Sequence, residues 1–227
     1  MKRTRSAACF ALGLVVAGGD AMAQAATNAA LFSSNPESSA ATPETGEKDW
    51  SFSVSMYGYF VPDSRDYVQP TMTADRGRLH LEARYNYEDV DTGSVWIGYN
   101  FSVGDTLSLE FTPMLGSVFG STSGFAPGYE ATLSWSQLEL YTEGEYVFDS
   151  VESSDSFFYT WSELTFAPVS GFRIGMVVQR TALYQSDFSV QRGLLAAFSH
   201  NALELTACIF NPDANQPVAV LGVGWSF

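Results

Sequence analysis

Glutamates recur at alternate positions in two stretches of the chain: Glu139, Glu143 and Glu145 around Tyr141, and Glu82 and Glu88 among Arg78, His80, Arg84 and Asn86. At a spacing of two, side chains stand on one face of a strand, so these sets describe polar, charged walls. They could line a channel or fill an ion-paired interior. Catalytic chemistry has thinner support. The chain holds two histidines, His80 and His200. His80 shares a face with Glu82, while His200 abuts a turn, and neither sits in a Ser–His–acid or Cys–His setting. A structural, hydrogen-bonded histidine is the expected role of each. No His/Cys/carboxylate spacing resembles a closed metal site, so neither a metal nor another cofactor is expected.

Strands must supply those faces. From Trp50 onward the sequence divides into alternating segments of about ten residues, the length a tilted strand needs to cross a bilayer. They are 50–61, 66–75, 77–88, 93–103, 105–115, 127–136, 138–148, 156–167, 171–184, 188–200, 202–211 and 217–227, twelve in all. The turns after even-numbered segments are minimal, centred on Arg76, Gly104, Gln137, Pro168-Val169-Ser170 and Asn201. Connections after odd segments are mostly longer and polar. The longest, 116–126, is rich in Gly and Ser, and Asp63, Asp89, Asp149 and Asp187 contribute to an acidic rim. Facing follows from the period of two. Segment three points Leu79, Leu81, Ala83, Tyr85 and Tyr87 one way and Arg78, His80, Glu82, Arg84, Asn86 and Glu88 the other; segment one separates Phe52, Val54, Met56 and Phe60 from Ser53, Ser55, Tyr57 and Tyr59.

The N-terminus has a different character. Lys2, Arg3 and Arg5 precede an apolar run from Ala7 to Gly18, and Ala21-Met22-Ala23 forms a small-x-small cleavage pattern, so residues 1–23 are expected to be a signal peptide. Cys9 leaves with it, and Cys208 alone cannot form an intramolecular disulfide. Residues 24–49, rich in Ala, Ser, Thr, Asn, Pro and Glu, are read as a disordered tail. The formal charge is −14, and loss of the leader makes the remainder more acidic, so a nucleic-acid partner is excluded. Apolar residues make up 46% of the chain, yet beyond the leader no run approaches the ~20 residues of a spanning helix. The apolar content is dispersed in alternation instead.

The last eleven residues, PVAVLGVGWSF, place Ala219, Leu221, Val223, Trp225 and Phe227 on one face and end on an aromatic. With a secretory leader and even-numbered alternating segments, residues 50–227 resemble a bacterial outer-membrane β-barrel. The resemblance implies an all-β, antiparallel up-and-down transmembrane barrel of about 12 strands in the outer membrane of a Gram-negative cell, with both termini in the periplasm. It implies that Trp225 and Phe227 carry the insertion signal read by the outer-membrane assembly machinery, and that outer-membrane lipids and lipopolysaccharide surround the barrel. No subfamily is identified.

In such a barrel Glu82, Arg84, Glu110, Glu139, Glu143, Glu145, Trp161 and Glu163 are expected to line the lumen, with Arg78, Arg84 and Arg173 as counter-charges. Carboxylates exceed cations, which points to a narrow passive, porin-like pore for small solutes or ions with cation preference. Alternatives are a side-chain-filled structural or lipopolysaccharide-binding barrel and, with weaker support, a lipid-modifying enzyme. A lipid-modifying enzyme would need its histidine near the lipid face, whereas His80 is expected to face the lumen. Arg180 and Arg192 form a repeated Gln-Arg pair on two adjacent segments. Unbroken alternation would face both outward near the outer edge of the apolar band, where lipopolysaccharide phosphates could bridge them. A β-bulge in each strand would turn them inward toward Glu143, Glu145 or Glu163. The inward arrangement is expected, because arginine on the lipid face is costly.

Overall fold

The computed structural model describes residues 49–62, 64–183 and 189–227. The proposed leader, nearly all of the proposed tail, Asp63 and Asp187 lie outside the described residues. Thirteen strands follow in chain order: β1 Ser51–Phe60, β2 Tyr67–Arg76, β3 Leu79–Tyr85, β4 Thr92–Tyr99, β5 Phe101–Val103, β6 Leu107–Gly120, β7 Gly124–Trp135, β8 Leu138–Asp149, β9 Phe157–Val169, β10 Phe172–Leu183, β11 Ser189–His200, β12 Leu203–Phe210 and β13 Val218–Ser226. Every strand pairs antiparallel with its neighbours. β4 and β5 both pair with β6 and are halves of one stave interrupted at Asn100, so the barrel has twelve staves, the expected number.

Closure comes from the chain ends. β1 pairs with β13 from Ser53↔Ser226 to Phe60↔Ala219. Phe52 and Phe227 then exchange both backbone hydrogen bonds, at 2.8 and 2.9 Å. With no unpaired edge, the ladder satisfies the backbone groups that hydrocarbon cannot. The outer face carries Phe52, Met56, Phe60, Ile97, Leu115, Leu164, Met176, Leu194 and Leu221, all exposed. An apolar face of this extent, turned outward around a polar interior, belongs in a membrane and excludes a soluble sandwich. The protein is a transmembrane barrel of the bacterial outer-membrane type. The end bearing both termini and the short turns is the periplasmic end in that architecture.

Four features depart from the sequence reading. The long loop at 116–126 is mostly strand: β6 and β7 stay paired through Gly116↔Ala126, Ser117↔Phe125 and Val118↔Gly124, leaving Ser121–Ser123 as the connection. Its glycines suggested a loop, but Gly116 serves a close approach, since a Cβ there would lie 2.5 Å from the Trp96 ring. Segment three stops early. Asn86 takes φ 56°, the left-handed conformation that asparagine tolerates, and the chain folds inward so that Tyr87, expected to face lipid, is 1% exposed inside the barrel. The turn placed at Pro168-Val169-Ser170 sits at Ser170-Gly171, where Gly171 supplies φ 77°. Arg78, expected in the lumen, is exposed on the β2–β3 turn and donates to the Tyr99 hydroxyl at 2.9 Å.

Because the strand ladder closes through Phe52 and Phe227, the folded protein should resist denaturing detergent and migrate faster unheated than boiled. Deleting Trp225 to Phe227 should abolish that heat-modifiable form. Gel mobility after refolding into vesicles measures both.

Candidate acidic lumen

Inward strand parity, and for Glu88 the β3–β4 connection, brings six glutamates into burial inside the barrel, Glu82, Glu88, Glu143, Glu145, Glu163 and Glu204, against two buried arginines, Arg84 and Arg173. Arg84 is the hub. It stands two residues from Glu82 on β3 and holds that carboxylate with both Nε (2.8 Å) and Nη2 (3.0 Å). Its third nitrogen, Nη1, donates across the lumen to Glu145 Oε2 at 3.1 Å. The guanidinium lies between two aromatic faces, 4.1 Å from the Tyr87 ring centre and 4.7 Å from that of Trp96. A fork that meets two carboxylates while its flat faces meet rings is a task lysine could not perform.

Glu143, Glu163 and Glu88 take neutral donors. Tyr87 and Tyr141 donate their hydroxyls to the two oxygens of Glu143. Trp161 Nε1 donates to Glu163 Oε1 at 3.0 Å. Ser94 donates to Glu88 and itself receives Trp96 Nε1 at 2.9 Å. Toward the periplasmic end, Arg173 donates to Glu204 and stands 3.9 Å from Glu139, while Ser199 donates to Glu204 at 2.6 Å. One oxygen each of Glu88, Glu145 and Glu163 is buried without a hydrogen-bond partner in the protein, as are both amide atoms of Gln179. Buried polar atoms in that state call for water or ions.

Of the residues expected to line the lumen, Glu82, Arg84, Glu143, Glu145, Trp161 and Glu163 are buried within it. Glu139 is half-buried toward its periplasmic end, and Glu110 is exposed at that rim. Tyr57, Tyr59, Tyr159 and Trp161 are buried inside the barrel, Trp161 with no exposed surface at all.

Arg180 and Arg192 do not turn inward. The β10–β11 register runs unbroken from Phe172↔Phe198 to Thr181↔Ser189, pairs Arg192 with Val178 and Arg180 with Val190, and contains no bulge. Both arginines are therefore outward and exposed, diagonal neighbours near the extracellular end. The cost of lipid-facing arginine falls toward the interface, and Glu143, Glu145 and Glu163 are held by other partners. Trp225 and Phe227 face outward at the periplasmic end, as the alternation requires.

Sequence reasoning missed Tyr87, Tyr141 and Ser94 as carboxylate partners. Tyr141 and Ser94 share inward parity with their acids and were legible in principle, whereas Tyr87 depends on the reversal at Asn86. Among the described residues, His80, Glu82 and Glu130 each offer a donor atom within 4.8 Å of the others, a grouping that spans 50 residues and that no local spacing announces.

No family model and no curated protein matches the chain. Solved porin structures are similar in fold. The KdgM porin superposes with a TM-score of 0.57 at 11% identity, over 77% of this chain and 99% of that one. The NanC porin gives 0.55 at 10% identity, over 76% and 98%. The likeness is one of architecture.

Arg84→Met should leave Glu82 and Glu145 as uncompensated buried charges and destabilise the barrel by roughly 3–5 kcal/mol. Adding Glu145→Gln in the same chain should recover part of that loss. Urea unfolding from lipid vesicles reads both values.

Proposed function

We propose that the barrel is a narrow passive pore that favours small cations. The observation that carries this reading is the buried charge imbalance: six luminal glutamates face two arginines, and three of those carboxylates keep an oxygen without a protein partner. In a closed barrel such a surplus lowers the potential along the axis, attracts cations and repels anions. Packing of Tyr57, Tyr159 and Trp161 limits the route to small ions moving with side-chain adjustment, and so to low conductance. The KdgM porin is known in complex with oligogalacturonate. A polymer of carboxylates would meet repulsion in the lumen described here, so cargo of that charge is not proposed.

A second reading has its own support. The burial of Tyr57, Tyr59, Tyr159 and Trp161 suits a closed barrel, and outward Arg180 and Arg192 suit contact with the phosphates of lipopolysaccharide at the outer edge of the apolar band. That contact is also compatible with a pore. The assembly machinery remains the proposed reader of Trp225 and Phe227.

In planar bilayers under a KCl gradient, the pore reading expects reversal potentials on the cation-selective side, reduced by Glu145→Gln together with Glu163→Gln. Absence of discrete conductance at any voltage would favour the closed barrel. Separately, added lipopolysaccharide should raise resistance to unfolding in the wild-type protein and do so much less in Arg180→Ala and Arg192→Ala. Equal stabilisation of all three proteins would remove the arginines as its contact.

A further inference from the structure

We propose that His80, Glu82 and Glu130 form a binding site for a divalent transition-metal ion of the Zn2+ type, at the periplasmic side of the lumen. The proposal goes beyond the pore reading and does not depend on whether the lumen conducts.

The imidazole of His80 is set up as a ligand. Its side chain is 7% exposed, and Nδ1 lies 2.9 Å from Asp75 Oδ1. Asp75 is itself fixed by the side-chain amide of Asn100, which donates to the same oxygen at 2.7 Å. With Nδ1–H donated to Asp75, Nε2 is the nitrogen that can coordinate an ion, the arrangement by which outer carboxylates orient metal-bound histidines. Nε2 is buried and makes no hydrogen bond. It faces Glu82 Oε2 at 3.5 Å. Two donors bound to one tetrahedral ion at ~2.0–2.2 Å stand about 3.4 Å apart, so this gap fits a shared ion. Glu130 supplies the third donor from β7, with all three donor atoms within 4.8 Å of one another.

Charge and space agree with this assignment. With neutral imidazole, Asp75, Glu82 and Glu130 outweigh the single positive charge of Arg84, which approaches Glu130 to 3.8 Å and holds Glu82. Glu145, on the same guanidinium at 3.1 Å, adds to that surplus, and a divalent ion offsets more of it than protonation of His80 would. Gly98 makes the room: a Cβ there would stand 3.3 Å from His80 Cδ2 and 2.9 Å from the Thr112 methyl. Access comes from below, since the side chains of Asp75 and Glu130 keep 31% and 21% of their surface exposed while Glu82 keeps none. One imidazole and two carboxylates, with water in the fourth position, suit Zn2+ and its neighbours better than Ca2+ or Mg2+, which prefer all-oxygen shells.

The test uses the refolded, chelator-stripped mature barrel titrated with Zn2+ alone against a chromophoric competitor. One ion should bind per barrel, with an X-ray absorption spectrum showing a nitrogen/oxygen shell, one imidazole and no sulfur. His80→Gln and Glu130→Gln should each weaken binding at least about tenfold, while His200→Gln leaves it unchanged. Heat-modifiable migration verifies that each variant is folded. Should His80→Gln fail to fold, Glu130→Gln and the wild-type spectrum decide. The proposal is overturned by no binding, by a sulfur-containing shell, by binding that survives both substitutions, or by 15N spectra in which the His80 ring is doubly protonated and unmoved by Zn2+.

Discussion

A barrel that turns carboxylates inward must neutralise them where water is scarce, and here that constraint falls on Arg84. Its guanidinium joins β3 to β8 through Glu82 and Glu145, and its faces are covered by Tyr87 and Trp96. Each of those contacts sets a further feature. Trp96 can lie flat only because Gly116 has no side chain beneath it, and Tyr87 reaches the cation only because the chain reverses at Asn86. Glu143 then binds the Tyr87 hydroxyl and that of Tyr141. One cation thus orders a cluster drawn from β3, β4, β8 and the β3–β4 connection, yet it cannot compensate all the acids around it. The lumen is left with a surplus of negative charge.

Most of the architecture was legible because a lipid-facing strand obeys a strict period. Alternation assigned the outward Phe52, Met56 and Phe60 and the inward Ser53, Ser55, Tyr57 and Tyr59, and the short turns fixed an even number of staves. Luminal Glu82, Glu143, Glu145 and Glu163 followed from the same rule. What was not legible had local physical causes. Glycines in 116–126 resemble loop glycines in composition, although Gly116 accommodates a ring from the neighbouring stave. A left-handed asparagine ends a strand without a Gly or Pro to announce it, so Tyr87 was assigned to the wrong side.

Arg180 and Arg192 show a different limit. Their inward assignment rested on the cost of arginine in hydrocarbon, and that cost depends on depth, which a sequence does not report. The register keeps them outside, close to where β12 ends at Phe210 and Asn211 accepts the Arg192 backbone N–H. The His80 grouping is illegible for a related reason, since its third member arrives from β7, across two intervening staves. Inside and outside, unbalanced charge in this protein is a feature of the assembled barrel: carboxylates gather in the lumen and two arginines stand on the outer face near one end.

Cys208 offers a native probe of the central claim, that the lumen holds water and admits small cations. It is the one free cysteine among the described residues and faces the lumen from β12. Its reaction in the folded barrel can be followed by mass spectrometry with Ag+, a small thiol-seeking cation, and with dicyanoaurate, a small thiol-seeking anion. The account predicts that Ag+ modifies Cys208 in the folded state and does so faster than the anion. Protection of Cys208 from both reagents until the protein is unfolded, or faster reaction with the anion, would contradict it.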